Sequence, residues 1–192
     1  MDADPFVEFS RCWDEAKRAV ATPEAMVLAT ATASGRPSSR VVLLKAWDEH
    51  GFVFFTNYDS QKGQELAANP VAALLFYWEP LGRQVRIDGA VARVSRAESQ
   101  AYFDTRPLAS RFAATASPQS RPIADRDWLM ARVTEVAKRY PDGNVPVPDH
   151  WGGYRLEPAR FEFWKNGDNR LHDRFCYERT AGGGWSLVRL AP

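Results

Sequence analysis

The chain is expected to fold as a mainly β protein, a closed or nearly closed antiparallel barrel with peripheral helices packed outside it. Three observations predict this class. About eight short runs of β-branched and apolar residues recur along the sequence, turn residues separate them, and helical patterns fall between groups of strands rather than after every strand. With 192 residues and no composition break or linker, one domain spanning residues 1–192 is expected.

Asp4-Pro5 opens a helical pattern in which Phe6, Phe9, Trp13, Ala16 and Val20 recur at helical spacing, with Asp4 as N-cap and Pro5 in the first turn. Met26 to Thr32, Arg40 to Ala46 and Phe52 to Thr56 then read as a three-stranded meander, broken by Ser34-Gly35-Arg36-Pro37 and Asp48-Glu49-His50-Gly51. A short helix is expected from Ser60 to Ala68, closed by Asn69-Pro70. Strands follow from Val71 to Trp78 and from Arg83 to Val94. Helical stretches follow from Ser95 to Thr105 and from about Asp125 to Tyr140, with a Ser/Pro loop at 115–122 between them. After the stiff connector Val145-Pro146-Val147-Pro148, four more strands are expected: Gly153 to Leu156, Arg160 to Lys165, Asp173 to Arg179 and Trp185 to Leu190.

Lys and Arg total 25 against 24 Asp and Glu, a net charge of +1, so no global field attracts nucleic acid or anionic lipid. An anion must be held locally. No apolar run approaches the ~18 residues of a membrane span, and Met1 to Pro5 has no basic segment leading into an apolar one, so the cytoplasm is the expected compartment. Cys12 and Cys176 lie far apart with no CxxC pair and read as reduced thiols. His50, His150 and His172 are scattered, so no metal site is expected. G-x-S-x-G, G-x-x-x-x-G-K-[ST] and G-x-G-x-x-G are all absent.

Three constellations carry charge in patterns that suit small anions. If the segment after Asn166-Gly167-Asp168 is extended, Arg170, His172 and Arg174 project to one face, with Trp164 and Glu162 sharing a side of the preceding strand. Like charges that close repel unless an anion or carboxylate lies between them; a solvated face with surface ion pairs is the competing interpretation. Arg40 and Lys45 bracket an apolar strand and point to opposite faces unless a bulge intervenes. Ser60 and Lys62 sit where a helix start could cradle phosphate. Tyr102, Arg106 and Ser110 are spaced at i, i+4 and i+8 and align only if Pro107 leaves the helix unbroken, the competing interpretation being a capped helix pair with an exposed Arg. Gln84 shares a face with Arg86 and Asp88, where an amide can pair with a heterocycle edge.

These residues resemble the pyridoxamine 5'-phosphate oxidase family, flavoproteins with an FMN-binding split barrel. The resemblance runs from Asp4 to Pro192 through Arg40-Val-Val-Leu-Leu-Lys45, Phe55-Thr-Asn57, Ser60-Gln-Lys62, Arg83-Gln-Val85, Tyr102-Phe-Asp-Thr-Arg106-Pro107, Pro118-Gln-Ser120, Trp151-Gly-Gly153, Phe161-Glu-Phe-Trp164, Arg170-Leu-His-Asp-Arg174 and Arg189-Leu-Ala-Pro192.

The resemblance implies an antiparallel split barrel and a homodimer with FMN at the subunit interface. It implies oxidation of pyridoxamine or pyridoxine 5'-phosphate to pyridoxal 5'-phosphate, with dioxygen as acceptor and hydrogen peroxide as product. By matching positions, Arg40, Gln61, Lys62, Gln119 and Ser120 would hold the FMN phosphate and ribityl chain. Val41, Val42, Leu43, Leu44, Lys45, Phe55, Thr56, Gln84, Trp164 and Arg174 would contact the flavin end. Lys45, Tyr102, Arg106 and Ser110 would grip the substrate phosphate, and Arg170 and His172 would be the catalytic pair over the pyridine ring.

Three departures stand out. Gln61 replaces the arginine of an S-R-K triplet, Phe55 replaces a tyrosine, and little chain precedes Asp4 to cover the pocket. Two alternatives keep the fold: a related oxidase of the phenazine type, and a non-catalytic split-barrel protein that binds flavin or pyridoxal phosphate.

Overall fold

Side-chain alternation along one continuous sheet organises the chain, which is described over all 192 residues in a computed structural model. The strands are β1 (Ala25–Ala31), β2 (Pro37–Leu43), β3 (Ala46–Asp48), β4 (Gly51–Asn57), β5 (Val71–Trp78), β6 (Arg83–Arg93), β7 (Trp151–Lys165), β8 (Asp173–Arg179) and β9 (Trp185–Arg189). The path runs β2-β1-β5-β6-β7-β4-β3, all antiparallel, with β8 joined to β7 and β9 to β8.

The 15-residue β7 is the hub. One edge pairs with β6, while the other serves β4 along Trp151–Asn57 to Leu156–Phe52 and then β8 along Arg160–Glu178 to Lys165–Asp173. A register shift at Asp88/Gly89 bends this ribbon, and a Cβ at Gly89 would run into the Glu157 carbonyl. The sheet therefore curls into a half-barrel instead of lying flat.

Five helices pack around it: α1 (Pro5–Ala19), α2 (Gln61–Ala68), α3 (Arg96–Thr105), α4 (Leu108–Ala116) and α5 (Arg126–Arg139). Asp4 caps α1 as expected, accepting from the Phe6 N–H at 2.9 Å. The inner sheet face and α1 enclose Phe9, Phe52, Phe54, Leu74, Phe76, Ile87 and Phe161, all fully buried. The Phe9 ring meets Phe52 edge-on at 4.8 Å. A second cluster of Phe103, Val145, Val147 and Trp151 fastens α3 and the Pro-rich connector to the sheet. No helix is long and apolar enough to cross a membrane.

Several expected boundaries shift. The meander does not form: β1 and β2 make a hairpin, but β4 pairs with β3 and β7. The strand expected from Arg40 to Ala46 ends at Leu43 because the Leu44 N–H turns to the Glu24 carbonyl and the Lys45 N–H to the Val53 carbonyl, carrying the chain from β1 to β4. Residue propensity reports that a strand forms, not which strand it pairs with. The two strands expected between Gly153 and Lys165 are one, continuous through Pro158 at the bend. Residues Leu108 to Ala116 are helical, with Pro107 at the N-cap.

Truncation of Phe161, which contacts Phe6, Phe52 and Trp185 in the core, tests this packing. Phe161→Ala should destabilise the chain by about 3–5 kcal/mol, whereas Val188→Ala on an exposed strand face should cost less than about 0.5 kcal/mol. Urea denaturation of the two variants gives the comparison.

Candidate active site

Two sites of charged and aromatic residues stand out, and they are built by different parts of the sheet. The first is a cavity of about 550 Å³ between β2, β4 and the α3–α4 turn, lined by Arg40, Lys45, Lys62 and Arg106 together with Val41, Val42, Leu43, Phe55, Thr56, Tyr102, Ser110 and Gln119. Residues far apart in sequence meet here because β4 delivers Phe55 and Thr56, the break after β2 delivers Lys45, and the first turn of α2 delivers Lys62.

The charge in this cavity is unbalanced. Of its four cations only Arg40 has a carboxylate partner, Glu65, at 3.3 Å. Lys62 Nζ donates to Gln119 Oε1 at 3.0 Å, Thr56 Oγ1 at 3.2 Å and Ser60 Oγ at 3.4 Å, all neutral acceptors. Burial and then the nearby Arg40 charge hold the Lys62 ammonium below the usual lysine range. Burial likewise lowers the Arg106 guanidinium, whose Nη1 is buried with no hydrogen-bond partner. An orphaned buried donor among uncompensated cations fits an anionic ligand, because a bound phosphate oxygen would satisfy both deficits.

An aromatic stack forms one wall. The Phe55 ring lies 4.0 Å from Tyr102 and 5.4 Å from Trp151, all nearly parallel, and the Arg106 guanidinium sits over Trp151 at 4.8 Å. Gly152 and Gly153 allow this approach, since a Cβ on either would strike Tyr58 or the Phe55 ring. The ring of Phe55 thus does the packing with no hydroxyl required.

The second site lies on the outward face of β6, β7 and β8, where Gln84, Trp164 and Arg174 are cross-strand neighbours. The His172 ring packs on Trp164 at 4.6 Å. Its Nδ1 accepts from the Gly167 N–H at 3.3 Å, so the neutral ring carries its proton on Nε2. Arg174 donates from Nε and Nη2 to Glu162 Oε1 at 2.8 and 2.7 Å.

The expected site residues therefore divide. Arg40, Val41, Val42, Leu43, Lys45, Phe55, Thr56, Lys62, Tyr102, Arg106, Ser110 and Gln119 converge on the cavity; Gln84, Trp164, His172 and Arg174 gather elsewhere. Leu44 is buried in the core. Gln61 is exposed and bonds Glu65 Oε1, and Ser120 sits exposed in a turn at φ 69°. Arg170 does not share an extended strand with His172 and Arg174 as expected, because β8 starts only at Asp173 and Arg170 occupies a left-handed turn at φ 64°. Pro107 does interrupt the helix, yet Tyr102, Arg106 and Ser110 still face one cavity because α3 and α4 meet there.

Trp151, Asn57 and Glu65 lay outside the expected set. Trp151 was visible within Trp151-Gly-Gly153, where paired glycines mark a close approach. Glu65 gave no signal, because its partners Thr30, Ser38 and Arg40 come from β1 and β2.

A family model described as pyridoxamine 5'-phosphate oxidase matches residues 12–140, and one described as the pyridoxine 5'-phosphate oxidase C-terminal dimerisation region matches residues 151–192. The chain is 56% identical over 191 residues to a pyridoxine/pyridoxamine 5'-phosphate oxidase of Bordetella pertussis, covering 99% of this chain and 90% of that protein. It is 54% identical to the protein of that name from Rubrobacter xylanophilus, covering 100% and 88%. Among solved structures, PhzG from Burkholderia lata in complex with tetrahydrophenazine-1-carboxylic acid superposes with a TM-score of 0.94 at 35% identity, covering 100% and 94%. An FMN-binding, pyridoxamine 5'-phosphate oxidase-related protein of Nostoc punctiforme has the same fold, with a TM-score of 0.80 at 19% identity over 98% of both chains.

Glu65 makes a pH prediction. Burial works to raise its carboxyl, but hydrogen bonds from Ser38, Thr30, Gln61 and Arg40 outweigh it and hold the group at about 2, against an ordinary value of 4.5. A depressed carboxyl contributes stability above 4.5 that is lost as pH falls through about 2. Chemical denaturation across that window should show a steeper loss for the parent than for Glu65→Gln.

Proposed function

Because the chain belongs to the pyridoxamine 5'-phosphate oxidase family, we propose that it oxidises pyridoxamine or pyridoxine 5'-phosphate to pyridoxal 5'-phosphate. FMN is the cofactor, dioxygen the acceptor and hydrogen peroxide the second product. The observation that carries this reading is the group of three cations, Lys45, Lys62 and Arg106, sharing one cavity without a carboxylate partner, with the Arg106 Nη1 buried and unpaired. That set suits two phosphorylated ligands side by side.

Arg40, Lys62 and Gln119 are assigned to the cofactor's phosphate and ribityl end, with Gln61 acting through Glu65 and Ser120 at the margin. Val41, Val42, Leu43, Phe55 and Thr56 form the wall along it. Lys45, Tyr102, Arg106 and Ser110 take the substrate phosphate. Held at that end, the substrate presents its C4' carbon at a fixed distance and face. Bound FMN supplies the two-electron acceptor that dioxygen regenerates. Loss of two electrons and two protons turns the amine at C4' into an imine, which water hydrolyses to the aldehyde with release of ammonia, and the same oxidation turns the alcohol into the aldehyde directly.

Gln84, Trp164, Arg170, His172 and Arg174 are assigned to the same site from a second copy of the chain. Four of these five fall within the matched dimerisation region, residues 151–192, which supports a homodimer in which each cavity is completed by its neighbour. His172, whose Nδ1 accepts from the Gly167 N–H, is assigned to donate from Nε2 toward the pyridine ring, and Arg170, without an intramolecular side-chain partner, is assigned to the same ring. The working unit is one domain per subunit, and two unpaired cysteines support a reducing, cytoplasmic setting.

The close superposition on PhzG favours a second reading, a phenazine-type substrate on the same scaffold. Lys45, Tyr102, Arg106 and Ser110 favour the phosphorylated pyridine. Strong competitive inhibition by pyridoxal 5'-phosphate is expected for the first reading and none for the second.

Protein reconstituted with FMN should turn yellow, and its visible band should bleach when pyridoxine 5'-phosphate is added without oxygen. Failure to make pyridoxal phosphate or peroxide would overturn the assignment. Arg170→Leu should cut turnover while FMN stays bound. Lys62→Ala should weaken FMN by about tenfold or more, the scale of one charge-assisted hydrogen bond.

A further inference from the structure

The outward face of β6, β7 and β8 is a three-by-three grid set by the register. Its rows are Gln84–Trp164–Arg174, Arg86–Glu162–Cys176 and Asp88–Arg160–Glu178. At its centre the Glu162 side chain is 2% exposed and is surrounded by three guanidinium groups. Oε2 accepts from Arg86 Nη1 at 3.4 Å and Arg160 Nη2 at 3.2 Å, while Oε1 takes both the Nε and the Nη2 of Arg174.

Arg174 is held on a further side. Its Nη1 donates to the Ala191 carbonyl at 2.9 Å, and its own carbonyl accepts from the Leu190 N–H at 2.9 Å. Three of the five N–H bonds of a guanidinium are then committed, leaving one on each terminal nitrogen to point outward. With its side chain 27% exposed, Arg174 reaches the surface in a single orientation beside Trp164.

Buried ion networks contribute little net stability, since apolar residues of similar volume often replace them without loss. What a carboxylate supplies here that an apolar residue cannot is direction. We infer that Glu162 is a positioning residue for the reaction: it aims Arg174 at the cofactor, in concert with the Ala191 carbonyl. This rests on the proposed function, which assigns Arg174 to the flavin. Arg160, tied to Asp88 Oδ2 at 3.2 Å and to Cys176 Sγ at 3.1 Å, braces the carboxylate from behind.

The test is a double-mutant cycle on FMN affinity, read by quenching of FMN fluorescence as apoprotein is titrated, with Glu162→Gln, Arg174→Lys and the pair together. Glu162→Gln should weaken FMN by about tenfold. The double variant should bind no more weakly than Arg174→Lys alone, because Glu162 acts through Arg174. Glu162→Asp, which keeps the buried charge but withdraws it by one methylene, should reproduce the same non-additivity and serves if the Gln variant does not fold. Additive losses, or parent-like FMN affinity in the Gln or Asp variant, would overturn the role of Glu162. A parent that takes up no FMN would instead overturn the proposed function, and this inference with it.

Discussion

Positive charge gathered without matching negative charge is the constraint on which the cavity depends. Lys45, Lys62 and Arg106 repel one another in a partly desolvated space, and the fold holds them together there from three separate places: the break after β2, the first turn of α2 and the turn between α3 and α4. The one carboxylate paired with a lining cation, Glu65, lies behind the cavity wall and is turned toward Arg40 and the hydroxyls of Thr30 and Ser38. It organises one cation and leaves the other three uncompensated. Electrostatic pre-organisation of this kind lets a site bind anions although the whole chain carries a net charge of only +1.

The aromatic stack and the long strand β7 turn that charge into geometry. Trp151 opens β7, lies under Arg106 and stacks on Phe55, so the strand that builds the sheet also fixes the height of a cation in the cavity. At the other end of its fifteen residues the same strand carries Trp164, against which His172 packs. Both sites are therefore positioned by one backbone, and its bend at Pro158, opposite Gly89 of β6, sets their relative direction.

Glu162 on the outward face parallels Glu65 behind the cavity wall. Each is a buried carboxylate engaging arginine. Such groups convert flexible, long side chains into directed donors, which lowers the ordering cost when an anion arrives.

Much of this was legible in the amino-acid order. The Asp4-Pro5 cap, the period-two strands and the turns at Asn166-Gly167 and Gly182-Gly183 follow from local stereochemistry and residue type, which sequence encodes directly, while the motifs from Arg40 to Arg174 are legible through the family resemblance. The break after Leu43, the pairing of β4 with β7, the left-handed turn at Arg170 and the partners of Glu65 and Glu162 were not legible. The sequence by itself determined the fold class, most of the elements and the identities of the charged side chains, because those depend on near neighbours. Only the tertiary structure decided which cations share a cavity and which carboxylates aim them, because long-range pairing is a competition among whole strands and no single segment carries the outcome.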